Sequence, residues 1–351
     1  VAGHDLICVG GSAGAVDASL RLAEILPREL PAAILLVIHL PAGAASNLPK
    51  LLGVRGPLPA RFAVNGEPPQ RGVIHVARPD RHLVLVDGVL QLSRGPHENG
   101  FRPSIDTMFR SAAIAAGARV VGVVLSGTLD DGTAGLIAVR RAGGVAVVQD
   151  PDDAPFPDMP RNAIRGAGAD HVAPLDELPQ LLLRLTREVA ELPPPGAVRA
   201  GDGGGATTPF VCPDCGGVLN LDEESLPSFR CQVGHRWNGK GLAAKQREAL
   251  ELALWAALRT LKEHSRLSRA LEERALARGH AKSAQRFANR ARESEHRLSL
   301  VRAVLGLDAP RGRPRKRVRE EARLVDRDLD AAIEDDSRTE GIDGDGGTLK
   351  G

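Results

Sequence analysis

From Asp5 to about Leu185, short β-branched runs alternate with Ala/Leu-rich helical ones, and no other feature of the chain restricts its fold as strongly. This is the pattern of a parallel sheet wrapped by helices. It predicts strands over Leu6–Val9, Ile34–Ile38, Val120–Leu125 and Val145–Gln149, and helices over Val16–Leu26, Ser104–Ala116, Ala134–Ala142 and Leu178–Val189. The expected fold class is α/β, a doubly wound and mostly parallel sheet. Within it, GVIHVARPDRHLVLVDGVLQL reads as a run of short strands turning at Arg78-Pro79-Asp80 and Asp87-Gly88, a hairpin appended to the main sheet.

At 351 residues the chain is long enough for more than one unit. The segment ELPPPGAVRAGDGGGATTP, residues 191–209, is Pro/Gly-rich with almost nothing to bury and reads as a linker. It separates a first domain over 1–190 from a Cys/His module over 210–240 and a helical hairpin over 241–305, followed by a charged, disordered tail over 306–351. The hairpin carries Leu250, Leu254, Leu258 and Leu261 on one face and breaks at Gly279. With 46 basic and 44 acidic side chains the net charge is +2, which excludes an overall electrostatic commitment to nucleic acid or membrane. The tail run Arg311-Gly312-Arg313-Pro314-Arg315-Lys316-Arg317 resembles an AT-hook, but it reads better as a solvated basic run, and DNA is not an expected partner. The longest apolar run, Ala32 to Ile38, is too short to cross a bilayer, and the first residues lack the layout of a secretion signal. The expectation is a cytoplasmic protein without membrane insertion.

VGGSAGA, Val9 to Ala15, stands where a strand gives way to a helix. Gly10, Ser12 and Ala15 do not fit the dinucleotide fingerprint G-x-G-x-x-G, whereas Gly10, Ser12 and Gly14 fit the nucleophile elbow G-x-S-x-G; a plain Gly-rich turn is the third reading. An elbow needs a base. His39 follows ILLVI directly, at the carboxyl end of a strand, where sites in open parallel sheets gather. His75, within a strand pattern, and His82, at a turn, read as structural, while His171 competes because the histidine of an α/β-hydrolase comes last. In VVGVVLSGTLDDGTAGL, Asp130 and Asp131 occupy the turn between a strand and a helix, where a carboxylate either orients an imidazole or caps the helix.

Taken together these residues resemble the chemotaxis-receptor methylesterases, the CheB-type protein-glutamate methylesterases. The resemblance rests on GGSAGA, His39-Leu40-Pro41, Pro103-Ser104-Ile105-Asp106, Ser126-Gly127-Thr128-Leu129-Asp130-Asp131-Gly132 and AGGVAVVQDPDDAPFPDMPRNAI, in order over roughly the first 190 residues. It implies Ser12 as nucleophile, His39 as general base and then acid, and Asp131 as the carboxylate that orients it. This order excludes the α/β-hydrolase arrangement, so His171 drops to a structural role. The implied reaction is hydrolysis of glutamate γ-methyl esters on methyl-accepting chemoreceptors, with glutamine deamidation by the same acyl chemistry and no cofactor. The chain departs from the family pattern at Thr128 and Leu129, in a turn that helps form the oxyanion pocket; leucine in place of glycine disfavours a positive φ there. The contrasting reading is a non-catalytic sensory adaptor that retains the esterase fold.

Three of the four cysteines crowd into VCPDCGGVLNLDEESLPSFRCQVGHRW. Cys212 and Cys215 form C-x-x-C, and Cys231 with His235 forms C-x-x-x-H; two such turns can close a tetrahedral zinc shell with no open position, a structural site. Cys8, in LICV, reads as a small core residue. The family's receiver domain is missing from these residues, so regulation or targeting is expected to pass to the Cys/His and helical modules.

Overall fold

Seven of the short apolar runs pair side by side, all parallel, in the computed structural model, which describes residues 3–40, 46–190, 206–222 and 228–307. In chain order the elements are β1 (Leu6–Gly11), α1 (Ala15–Ile25), β2 (Ala33–Ile38), α2 (Leu48–Arg55), β3 (Ala60–Phe62), β4 (Ile74–Val76), β5 (His82–Val86), β6 (Val89–Ser93), α3 (Ile105–Ala116), β7 (Val120–Val124), α4 (Thr133–Arg141), β8 (Val145–Gln149), α5 (Asp158–Ala167), β9 (His171–Ala173) and α6 (Leu178–Leu185). The strand order is β3-β4-β2-β1-β7-β8-β9. The chain winds outward from β1 in one direction and from β7 in the other, so the crevice at the carboxyl ends of β1 and β7 is the topological switch point, where sites in such sheets form.

Side chains alternate across a strand, so each buried strand feeds two cores. On one face Cys8, Leu35 and Val124 pack with Phe109 of α3, Leu136 of α4 and Ala163 of α5. On the other, Ile7, Val9, Leu36 and Val123 pack with Leu22 of α1, Leu52 of α2 and Leu182 of α6. The Cys8 thiol is fully buried in the first core, and burial pushes its pKa above the usual range, as suits an inert core residue. Gly122 in β7 lets α4 approach, since a Cβ there would lie 2.7 Å from Leu136 Cδ1.

The elements differ from the sequence expectation at their ends, and α2, β3, α5 and β9 were not among those expected. β1 continues through Gly10 and Gly11, which keep parallel register with Val37 and Ile38. α6 stops at Leu185 instead of Val189, because Val189 leaves the helix and bridges Gly3. β5 and β6 form a separate two-stranded sheet outside the main one, with Leu83, Leu85 and Leu90 in the first core. His82 is the first residue of β5, not a turn residue.

After the sheet come β10 (Thr207–Val211), β11 (Val218–Asp222), β12 (Ser228–Cys231) and β13 (Arg236–Asn238), an antiparallel four-stranded ribbon, then α7 (Gly239–Ala277) and α8 (Ala281–Val304). Two compact units result, Val1–Ala249 and Leu250–Gly351. In the second, the helices turn at Gly279, φ +75°, where a leucine or alanine would be strained. They pack through Ala284, Ala288 and Ala291 and are tied by Arg269 to Glu295 at 3.0 Å. The expected apolar face is uneven: Leu254, Leu258 and Leu261 are half-buried, but Leu250 is 60% exposed. Pro41, most of the expected linker, the basic run 311–317 and the tail beyond Leu307 lie outside the described residues.

Candidate active site

Three strand ends meet at the switch point. Ser12 directly follows β1, His39 directly follows β2, and Asp131 lies in the turn between β7 and α4. Backbone hydrogen bonds tie the three segments: the Ser12 amide donates to Ser126 O at 3.0 Å, and the His39 amide to Gly11 O at 3.1 Å. The glycines beside Ser12 have separate causes. Gly10 is crossed by the Ile105 side chain, which leaves no room for a Cβ, and Gly14 caps α1 at φ +75°.

His39 Nε2 donates to Asp131 Oδ2 at 2.8 Å, with both side chains almost fully buried. The imidazole lies flat on the Phe101 ring, centroids 3.7 Å apart and planes 10° from parallel. His39 Nδ1 is buried without a hydrogen-bond partner. With Nε2 committed to the carboxylate, Nδ1 is the nitrogen left to take up a proton.

Asp131 sits on the N-terminus of α3. It accepts from the amides of Ile105 at 2.7 Å and Asp106 at 3.3 Å, from Ser104 Oγ at 3.0 Å and from Asn99 Nδ2 at 2.9 Å. Asp106 returns the favour at α4, accepting from the amides of Gly132 at 2.9 Å and Gly135 at 2.6 Å. Each carboxylate thus satisfies the orphan amides of the other's helix. Burial pushes Asp131 up, but the His39, Ile105 and Asn99 hydrogen bonds outweigh it and hold the carboxyl far below its usual range. Asp106 is driven the other way, by burial first and then by the charges of Asp131 and Glu98. Asp130 makes no comparable set of bonds. Its Oδ1 is buried without a partner, and burial together with the Asp131 charge pushes it up to about 7.

Sequence reasoning missed Asn99 and Phe101, and it quoted Ser104 and Asp106 without assigning them a role. The one local signal at this place is the dipeptide Asn99-Gly100, a turn former, and both residues adopt positive φ, +54° and +79°. Nothing local says that the turn reaches a carboxylate 32 residues away. Leu129 adopts φ +63°, the conformation its side chain was expected to disfavour; its carbonyl is held by Asn162 Nδ2 at 2.7 Å. None of the other histidines considered bonds Asp131, although His82 Nδ1 accepts from the Ser104 amide at 3.3 Å, next to the Ser104 hydroxyl that does. His75 accepts from the Gln70 amide, His82 bonds Pro96 O, and His171 starts β9.

In the ribbon, one ligand atom each from Cys212, Cys215, Cys231 and His235 lies within 4.8 Å of the others. The Sγ atoms of Cys215 and Cys231 are 3.6 Å apart, and His235 Nδ1 is 3.5 Å from Cys231 Sγ. A tetrahedral shell with Zn–S near 2.3 Å has edges of about 3.8 Å, so the four groups fit such a shell. Trp237 Nε1 donates to Cys212 Sγ at 3.4 Å, the outer-shell bond that ligating sulfurs commonly receive. All the cysteines are free thiols.

Among the described residues no helix is long and apolar enough to cross a membrane. Residues 7–182 match the CheB methylesterase family. Protein-glutamate methylesterase/protein-glutamine glutaminase 1 of Geobacter metallireducens is 35% identical over 181 residues, and the corresponding protein 2 of Anaeromyxobacter dehalogenans 37% over 183. These alignments cover 50% and 52% of this chain and 50% and 54% of theirs, so the chain spans about half the length of both relatives. The crystal structure of the Thermotoga maritima CheB methylesterase catalytic domain is similar at a TM-score of 0.50 and 29% identity, over 53% of this chain and 100% of that one. With a sheet of this order, strand ends that carry Ser12, His39 and Asp131, and half its length matched, the chain belongs to the CheB methylesterase family.

Proposed function

We propose that this chain is a serine-type protein-glutamate methylesterase that acts in the cytoplasm on methyl-accepting chemoreceptors or a similar sensory array, and that it also deamidates glutamine. The observation that carries the reading is the buried His39–Asp131 hydrogen bond at the strand end next to Ser12, in a chain whose relatives are named for these two activities. Asp131 holds Nε2 protonated and stabilises the imidazolium. His39 Nδ1 takes the Ser12 hydroxyl proton as Oγ bonds the ester carbonyl carbon, then returns it to the departing methoxide to give methanol. Water repeats the sequence on the acyl-enzyme, freeing the glutamate carboxylate and restoring the Ser12 hydroxyl. The amides of Ser12, Ala15 and Gly127 are committed to Ser126 O, Ser12 O and Phe156 O, which leaves the oxyanion to the amides of Ala13 and Gly14, between Ser12 and α1, and of the Thr128-Leu129 turn.

Methanol release from a methylated chemoreceptor tests the reading. Ser12→Ala is expected to abolish it, by about 10³-fold or more, with the melting temperature unchanged. Full activity in that variant rejects Ser12 as nucleophile, and no methanol from the unmutated chain favours the adaptor.

In the ribbon, Cys212, Cys215, Cys231 and His235 are proposed to hold a structural zinc ion. The core there is little more than Cys212, Leu219, Cys231, Trp237 and Leu242, too small to stand by burial alone. Elemental analysis of protein purified without chelator tests this, and the absence of zinc rejects it.

A further inference from the structure

The two sites are joined through one short turn. Residues Glu98 to Phe101 carry Asn99, which bonds Asp131, and Phe101, which stacks on His39. The ribbon grips this turn from the other side. The Asn99 amide donates to Arg236 O at 2.8 Å, the Arg236 amide to His97 O at 3.3 Å, and the Asn238 amide to Asn99 Oδ1 at 2.8 Å. Asn99 therefore spans the junction: its oxygen is fixed by the ribbon, and its amide nitrogen donates to Asp131 at 2.9 Å and Asp106 at 3.0 Å.

The metal ligands lean on the same turn. Trp237, bonded to Cys212 Sγ, lies against Gly100, where an added Cβ would come within 3.5 Å of the indole. Gly234, in the turn between Cys231 and His235, abuts Pro96. His97 faces Asp214, in the Cys212–Cys215 turn, at 3.6 Å and stacks on His235 with centroids 6.3 Å apart. Trp237, Gly234, Asp214 and His235 thus lie against Gly100, Pro96 and His97, in or directly before the turn that positions the catalytic pair.

We infer that the ribbon is a positioning element of the catalytic site: by gripping Glu98–Phe101 through Arg236, Trp237 and Asn238 it orients Asn99 and Phe101 on the His39–Asp131 pair, so that metal occupancy at Cys212, Cys215, Cys231 and His235 sets the rate of ester hydrolysis. This rests on the esterase and zinc readings above. Asn99 is a positioning residue, acting through Asp131, and touches no reacting atom. A ribbon without its metal has no rigid strand with which to hold the Asn99 amide plane, and a small misplacement of an orienting group is costly in turnover.

The test uses the full chain, zinc-loaded and after chelation, in the unmutated protein and in Asn99→Gly, which accepts the positive φ but lacks the amide. One readout is kcat and KM for receptor methyl-ester hydrolysis. The other is the downfield proton resonance of His39 Nε2–H, which needs no turnover. Metal removal is expected to lower kcat of the unmutated chain by about tenfold or more, with KM changed by less than about threefold, and to broaden the His39 signal away. Asn99→Gly should show that loss with zinc bound, and lose less than about threefold more on chelation, because the two changes act on one contact. Unchanged kcat and signal on metal removal overturns the inference, as does an equal further loss in both backgrounds. Failure of the zinc reading is seen separately, as no zinc by elemental analysis, and failure of the esterase reading as no methanol at any zinc content. In either case Asn238→Pro, which deletes the amide that holds Asn99, must still abolish the His39 signal; if the signal survives, the coupling is rejected.

Discussion

The His39–Asp131 centre and the Cys/His cluster are both small polar constellations within Val1–Ala249, yet they are held in opposite ways. The first rests on a sheet buried on both faces, and Asp131 takes five hydrogen bonds contributed by His39, Asn99 and the α3 N-terminus. The second rests on two tight turns above a handful of apolar side chains. Where burial supplies the stability, a site residue can be lost without the fold. Where the ligands supply it, losing one takes the fold with it.

The largest effect that would sharpen this contrast is at Cys212. Structural zinc contributes on the order of 10 kcal/mol to modules of this kind, so Cys212→Ser should unfold the ribbon while the sheet domain still melts cooperatively. Circular dichroism and hydrogen exchange of residues 207–238 read this out, and a ribbon that stays protected without zinc breaks the comparison. Next is Asp131→Asn, expected to cost on the order of 10³- to 10⁴-fold in kcat through the wrong imidazole tautomer, with the domain still folded. Steady-state kinetics beside a thermal melt check it; global unfolding would place Asp131 with the ligands whose loss destroys structure.

A smaller effect belongs to Asp130, whose pKa rises from the unfolded range to about 7 on folding. Between about pH 4 and 7 the native state holds a proton that the unfolded state has lost, so stability falls as pH rises, by at most about 1.4 kcal/mol per pH unit. Asp131 has the opposite sign: its contribution is full above the unfolded value near 4 and is lost as pH falls below it. Asp130→Asn should flatten the neutral limb of the stability curve and raise the melting temperature at pH 8 but not at pH 4. Denaturant titrations across pH decide it; an unchanged curve means that Asp130 is ionised in the fold. The smallest effect is at Leu129. Relief of a left-handed leucine, offset by the greater freedom of glycine in the unfolded chain, should leave Leu129→Gly more stable by roughly 0.5 kcal/mol. A lower melting temperature would show that the half-buried side chain contributes more than its backbone costs.

The central strands β1, β2, β7 and β8, the helices α1, α3, α4 and α6, the parallel class of the sheet and the turns bearing Ser12, His39 and the two aspartates were legible in the sequence, because apolar periodicity and glycine placement act within a few residues. The same holds for the Cys212/Cys215 and Cys231/His235 pairs of the ribbon, whose side chains lie together in the structure. Element ends were less legible: α6 gives way at Leu185 because Val189 finds Gly3, a partner far away in sequence.

Only the tertiary structure decided how the polar groups are shared out. It gave Asp131 the α3 N-terminus and left one oxygen of Asp130, Oδ1, buried without a donor, though the two are adjacent in the chain and alike in side chain. It brought Asn99 and Phe101, which mark no more than a turn by themselves, onto the His39–Asp131 pair, and it set the ribbon's last strand against that turn. A buried carboxylate takes its donors from whatever segments the packing delivers, and those segments are set by the burial of apolar side chains elsewhere, so no local pattern could have named them.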